Sequence, residues 1–141
     1  MNYFQSQSEN LKKNIAEIKS TIKDPDLLSS ADHQAFERII YLFQSVIKSV
    51  IDTGNNIIIN NDFRNPLNTA DVFISLAENN IISPSIVPGL KKAALMMPKM
   101  KSYTHPELVD IMQQCIGDFN QCVNSFTEYF KRKKDEVSPC T

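Results

Sequence analysis

From Ala31 to Asp62 apolar residues return at steps of three, four and seven: Phe36, Ile40, Phe43, Ile47, Val50 and Ile57. That spacing is the stripe of a helix with one buried face. Gly54 falls on the same stripe, where a missing side chain lets a neighbouring element come close. Ile39, Val46, Ile51 and Ile58 widen the stripe, so this helix is expected to touch more than one neighbour. Opposite, Glu37, Tyr41, Gln44, Lys48, Asp52 and Asn55 form a polar line at the same period. It is either a solvated face or, in part, the lining of a groove against a partner subunit. The run Ile57-Ile58-Ile59 has strand-like composition but finds no partner strand elsewhere, so it stays helical.

The remaining elements arrange themselves around this one. Leu11, Ile15, Ile18 and Ile22 predict a first amphipathic helix over about Ser6 to Lys23. Asp24-Pro25-Asp26 ends it, because a residue before proline is pushed out of helical space. Ser30 is the N-cap of the long helix, and Asn60-Asn61-Asp62 loosens its end. Asn68 caps a short helix carrying Val72, Phe73, Leu76 and Ala77. Ser83-Pro84 repeats the start signal, while Pro88-Gly89 delays the regular fourth helix to Val87. It carries Leu90, Ala93, Ala94, Met96 and Met97, then meets Pro98, which removes a backbone hydrogen bond and kinks or ends it. Thr104 and Glu107 have the spacing of a capping box. They open a last helix in which Leu108, Ile111, Cys115, Phe119, Cys122, Phe126 and Tyr129 keep the period for about six turns. Five helices and no strand predict an all-α, antiparallel up-and-down bundle. It forms one domain over 1–134, followed by a tail over 135–141.

Composition refines this picture only slightly. With 141 residues, 42% apolar and 22% charged, the chain is one globular domain with a genuine core. Its net charge of −1 argues against an indiscriminate nucleic-acid binder, though not against a local basic site. No apolar run approaches the ~18 residues of a membrane span. The first residues lack the basic-then-apolar order of a signal peptide. The expected setting is therefore the cytoplasm, without membrane association. Cys115 and Cys122 share a helix face roughly 10 Å apart along the axis, too far for a disulfide. Cys140 lies in the tail. Without CxxC spacing or a His–Cys cluster, neither a metal nor a cofactor is expected.

No Walker loop, G-x-S-x-G elbow or H-E-x-x-H motif is present, and His33 and His105 are the two imidazoles. His33 lies near a helix start and reads as solvent-exposed. Between Asn79 and Pro106 there is no acidic residue, yet Lys91, Lys92, Lys99 and Lys101 are all there. Gathered near His105 and Tyr103, such cations suit a phosphate or an RNA backbone. The plainer account is a solvated lysine face. Lys131-Arg132-Lys133-Lys134 sits at the C-terminal end of the last helix, where cations complement the dipole.

The order of segments FERIIYLFQSVIKSVIDTGNNIII, DFRNP, TADVFISLAENNIIS and LKKAALM resembles the HepT-like proteins of the HEPN superfamily. The likeness covers roughly Ala31 to Phe130. It is carried most by Asp52-Thr53-Gly54-Asn55 and by the spacing of Leu76, Ile81-Ile82-Ser83 and Leu90-Lys91-Lys92. What the resemblance implies is a helical bundle paired into a symmetric homodimer. Characterised members are metal-independent ribonucleases, the toxin half of a pair whose antitoxin is a small nucleotidyltransferase. Their motif is Arg, four residues, His, one residue, Tyr. In it a guanidinium and an imidazole stabilise charge and move the 2′-hydroxyl proton, and the partner modifies the tyrosine.

The chain departs from the HepT-like pattern at that motif. Counted from Leu90 without gaps, the three positions read Met97, Ser102 and Thr104; shifted by three to recover the histidine, they read Met100, His105 and Glu107. Lysine at 99 or 101 supplies charge without the planar fork of arginine. The leading expectation is a HepT-like homodimer with a degraded nuclease motif, acting mainly by binding a partner such as a nucleotidyltransferase-like antitoxin. Weak RNA binding falls to Lys91, Lys92, Lys99 and Lys101. One alternative is a working ribonuclease using His105 with Lys99, Lys101 and Tyr103 in a rearranged site. Another is a structural dimer without a nucleic-acid role. Gly54, Val50 and Ile57 are the expected dimer contacts.

Overall fold

Helix α2 spans His33–Asn60, and its wide apolar face decides where everything else goes. Phe43, Val46, Ile47, Val50 and Ile57 have no exposed surface at all. On the polar line Glu37, Tyr41, Lys48 and Asp52 are exposed, and Ile59 of the isoleucine run is 67% exposed within an unbroken helix. The computed structural model describes residues 2–23 and 33–137. Side chains are described for residues 7–23, 34 and 36–133. The Asp24-Pro25-Asp26 stop, the Ser30 cap, Cys140 and the side chains of His33 and Lys134 lie outside the described residues.

Helix α1 (Asn2–Ile22) buries Leu11, Ile15, Ile18 and Ile22 against α2 and α5 (His105–Val137). Arg38 of α2 donates to both carboxylate oxygens of Glu17 of α1, an exposed pair that orients more than it stabilises. Between α2 and α5 come α3 (Asp71–Glu78) and α4 (Val87–Met96), with 3₁₀ segments over Pro84–Ile86 and Met97–Ser102. Side-chain pairings fix the directions. Phe36 meets His105, Phe43 meets Phe119 and Asn61 meets Tyr129, so α2 and α5 run the same way. Lys92 meets Gln114 while Gly89 faces Asp118, so α4 runs against α5. This is the up-and-down bundle the periodicity predicts, with α3 and α4 together as one broken return leg. The last helix continues to Val137, three residues into the 135–141 stretch expected as tail.

The breaks have local causes. Helix α2 ends with Asp62 at φ 56°, and the Phe63 amide donates back to the Ile58 carbonyl at 3.0 Å. Helix α3 ends the same way: Asn80 takes φ 62° and the Ile81 amide reaches the Leu76 carbonyl at 2.9 Å. Asx residues tolerate this left-handed geometry, and the returning amides satisfy orphan carbonyls. Asn68 does act as a cap, but on the turn before α3: its Oδ1 accepts from the Asp71 amide at 2.9 Å. Ser83 accepts from the Ser85 amide, and α4 begins at Val87 as expected. The Thr104 and Glu107 side chains exchange backbone hydrogen bonds at 3.3 and 2.8 Å, so the capping box is formed.

Gly54 corrects one expectation. A Cβ there would lie 2.9 Å from Val72 Cγ1 and 3.0 Å from Leu76 Cδ1. The close approach it permits is therefore that of α3 within the same subunit. Val50 and Ile57 are at 0% exposure inside this bundle. Residues with no free surface have none to give a partner, so Gly54, Val50 and Ile57 are core positions rather than dimer contacts.

The loop between α2 and α3 is held by a clamp. Arg64 donates to both oxygens of Asp71 at 2.7 and 3.1 Å, and to Glu78 at 3.3 Å. Asp71 also accepts the Leu67 amide at 2.8 Å, and Ser75 Oγ donates to the Arg64 carbonyl at 3.3 Å. The guanidinium first, and the Leu67 amide second, hold the Asp71 carboxyl down at about 2 from its ordinary 3.8. A carboxyl lowered on folding adds stability above its ordinary pKa and loses it as pH falls toward the folded value.

Two outcomes follow from this packing. Phe119 is fully buried with its ring edge-on to Phe43, centroids 6.0 Å apart. Phe119→Ala is expected to cost about 3–5 kcal/mol in urea unfolding; a loss below ~1 kcal/mol would show that the site is not core. Asp71→Asn is expected to lower the urea midpoint at pH 5 and to lower it much less at pH 2.5. A gap between the two proteins that stays constant across that window would contradict the clamp.

Candidate functional site

Pro98 shapes the site. Helix α4 stops at Met96, and the chain tightens into the 3₁₀ segment that ends at Ser102. Proline fits the opening turn but offers no N–H to continue an α-helix. Tyr103 is then extended (φ −93°, ψ 146°) and the Thr104–Glu107 box starts α5. This tight connection lies across the outer face of α2. Between them runs a groove in two contiguous parts of about 340 and 630 Å³, which share Tyr41 and Gln44. The polar line on α2 is thus partly a groove wall, within a single subunit.

His105 sits at the rim, exposed, with its ring stacked on Phe36 at a centroid distance of 3.7 Å and an interplanar angle of 22°. Phe36 is buried beneath it. Lys101 lines the same part of the groove, opposite Glu37, Ile40 and Tyr41. The other part runs past Ser45 to Lys48, against Met97 and Pro98.

The four lysines read together in the sequence are separated in space. Lys92 donates to Gln114 Oε1 at 3.0 Å, and Gln114 in turn donates to Asp110. Lys91 lies close enough to Asp71 to help lower its carboxyl. Lys99 is exposed and does not line the groove, and its carbonyl accepts from Ser102 Oγ at 2.7 Å. Tyr103 is half-buried and packs on the core. His105 and Lys101 are therefore brought together, and Lys91, Lys92, Lys99 and Tyr103 are not part of the groove lining.

The family's motif positions are equally informative. Met97 is half-buried against the core, Ser102 is tied to the Lys99 carbonyl, and Thr104 is spent in the capping box. In the shifted register Met100 is 2% exposed and Glu107 caps a helix. Neither register sets a guanidinium beside an imidazole. Cys115 and Cys122 are buried free thiols; burial raises Cys115 to about 11 and pushes Cys122 higher still. Neither is a nucleophile at neutral pH. Among the described residues no three His, Cys, Asp or Glu are grouped to hold a metal ion, and no helix is long and apolar enough to cross a membrane.

The fold has solved counterparts. A toxin–antitoxin crystal structure with AMP-PNP superposes with a TM-score of 0.78 at 21% identity, over 91% of this chain and 99% of that one. A tri-AMPylated Shewanella oneidensis HEPN toxin in complex with MNT antitoxin gives 0.62 at 23% identity, over 84% and 96%. This chain folds as a HEPN toxin does. YutE from Bacillus subtilis, a cytosolic protein of unknown function, also superposes, with a TM-score of 0.71 at 18% identity over 97% of this chain and 95% of that one. No protein-family model and no curated protein matches the sequence.

Proposed function

We propose that the chain is a HepT-like HEPN protein of toxin–antitoxin type that works by binding, with a ribonuclease motif no longer able to cleave. The observation that carries this reading is the fate of the motif positions. Met97 is drawn toward the core, while Ser102 and Thr104 are committed to backbone hydrogen bonds. A methionine supplies neither charge nor hydrogen bonds to a phosphorane, and each lost transition-state donor typically costs ~10²–10³ in rate. The partner in this reading is a nucleotidyltransferase-like antitoxin in the cytoplasm, as with the neighbour described as a HEPN toxin bound to MNT antitoxin. The protein pairs into a two-fold homodimer through surface outside the Val50–Gly54–Ile57 core.

A second reading keeps one specific support: His105 and Lys101 share the lining of one groove. An imidazole and an ammonium so placed are the parts a rearranged ribonuclease site requires. The assay that separates the two is purified protein with RNA in EDTA, beside His105→Ala. The binding reading expects intact RNA in both tubes. Cleavage that survives EDTA and disappears in the variant would replace it with the rearranged site. For assembly, light scattering at tens of micromolar is expected to give twice the 16.0 kDa chain mass. A monomer under those conditions would remove the homodimer from the proposal.

A further inference from the structure

Met97, Met100 and Tyr103 follow each other at steps of three, and all three pack on the core. Met100 is 2% exposed and the other two are half-buried. A 3₁₀ helix has about three residues per turn, so this spacing gives the connection one inward stripe. Pro98, Lys99, Lys101 and Ser102 between them are exposed. The 3₁₀ run is 6 residues long, while such runs rarely exceed about four because their hydrogen-bond geometry is poor. Its side-chain and turn bonds stay inside it. Ser102 Oγ donates to the Lys99 carbonyl, and the Tyr103 amide donates to the Met100 carbonyl. Among the described residues no hydrogen bond or ion pair joins residues 97–103 to α2, across which they lie, or to α5. Both flanks are firmer. Met96, 3% exposed, closes α4, and beyond Tyr103 the capping box opens α5 with His105 stacked on Phe36.

We propose that residues 97–103 are a hinged strap, which lifts off α2 as a unit by withdrawing Met100 from the core while α4 and α5 stay in place. No polar contact to α2 has to break for this, so apolar cover is what holds the strap down. Two of its three inward residues are methionines, whose unbranched, polarizable side chains repack at low cost. Met100 and Lys101 line one part of the groove, and Met97 and Pro98 the other. Lifting therefore widens both parts at once. The groove has a closed and an open form, and a partner that fits one better shifts the balance toward it. The inference goes beyond the binding reading and holds whether or not that reading does.

The unmodified protein carries its own reporters. Met96, Met100 and Met112 are all buried, at 3%, 2% and 0% exposure, and stand on α4, the strap and α5. Peroxide converts a methionine to its sulfoxide when the sulfur meets solvent. Initial oxidation rates, read by peptide mass spectrometry, therefore compare the opening of the three elements. Met100 is expected to oxidise at least about tenfold faster than Met96 and Met112, at a rate that ~1 M urea leaves nearly unchanged, since a local opening exposes little surface. Three equal rates that rise together with urea would mean opening by global unfolding, and would overturn the proposal. It is equally overturned if Met96 keeps pace with Met100, because the return leg then leaves as one piece. A second probe is Met100→Cys in a Cys140→Ser background, where Cys115 and Cys122 are buried references. Maleimide is expected to label the introduced thiol at least about tenfold faster than either reference; labelling at their rate would also sink the strap. The peroxide comparison needs no substitution, so it decides alone if that variant does not fold.

Discussion

Burial of the broad apolar face of α2 is the constraint from which the other placements follow. One neighbouring helix covers a strip, and a face carrying both the Phe43–Ile47–Val50 row and the Ile39–Val46–Ile58 row needs several. Helix α1 takes one flank, α3 another, and α5 lies alongside in the same direction with Phe119 edge-on to Phe43. Gly54 is what lets α3 sit as close as it does, since Val72 and Leu76 occupy the space a Cβ would need. The Arg64–Asp71 clamp then keeps the loop from drawing α3 away. Core and loop chemistry thus act on the same contact.

The return leg explains why the groove exists. A continuous helix from Val87 onward would place its side chains at regular 3.6-residue intervals over α2. Pro98 forbids that, and the 3₁₀ turn that replaces it puts Met100 inward and Lys101 outward within two positions. The next sharp change, extended Tyr103, turns the chain so that the capping box can open α5 with His105 above Phe36. Proline, the turn and the cap together set the rim of the groove.

The helices were legible because each depends on local information: a period, a proline, a capping serine or threonine. So were the buried positions of α5, where all seven residues of the predicted stripe are in the core. What the sequence could not show was which neighbour each face meets. Gly54, Val50 and Ile57 looked like surplus apolar surface for a partner, because the amount of cover α3 supplies depends on a loop. That loop is fixed by Arg64, which lies outside any helix, pairing with Asp71 at the start of α3, a polar contact that the period of apolar positions does not report. The lysines misled for a related reason. Nearness in sequence placed four together, but α4 presents Lys91 and Lys92 toward α3 and α5, while the 3₁₀ segment presents Lys101 to α2. Tyr41, Gln44 and Lys48 were visible as a polar line; only the packing of residues 97–102 across them distinguishes a groove wall from a solvated face.

A fold shared with HEPN toxins does not by itself require their chemistry. Catalysis of phosphodiester cleavage requires a fixed cation and an imidazole held to within a fraction of an ångström, and a 1 Å misplacement is already costly. Binding a partner asks for less, because surface contacts tolerate looser geometry than a reacting centre does. The core that builds the groove, from Ile39 to Leu108, lies beneath it and reaches its lining at Phe36 and Met100. Of positions 97, 102 and 104 the groove lining includes Met97 alone, so changes at 102 and 104 leave its wall in place. Met97 goes further, since an apolar side chain there packs against the core where a charged one would have to stay in water. A methionine at 97 thus adds packing to the connection that forms the groove wall, while no guanidinium stands beside the His105 imidazole there.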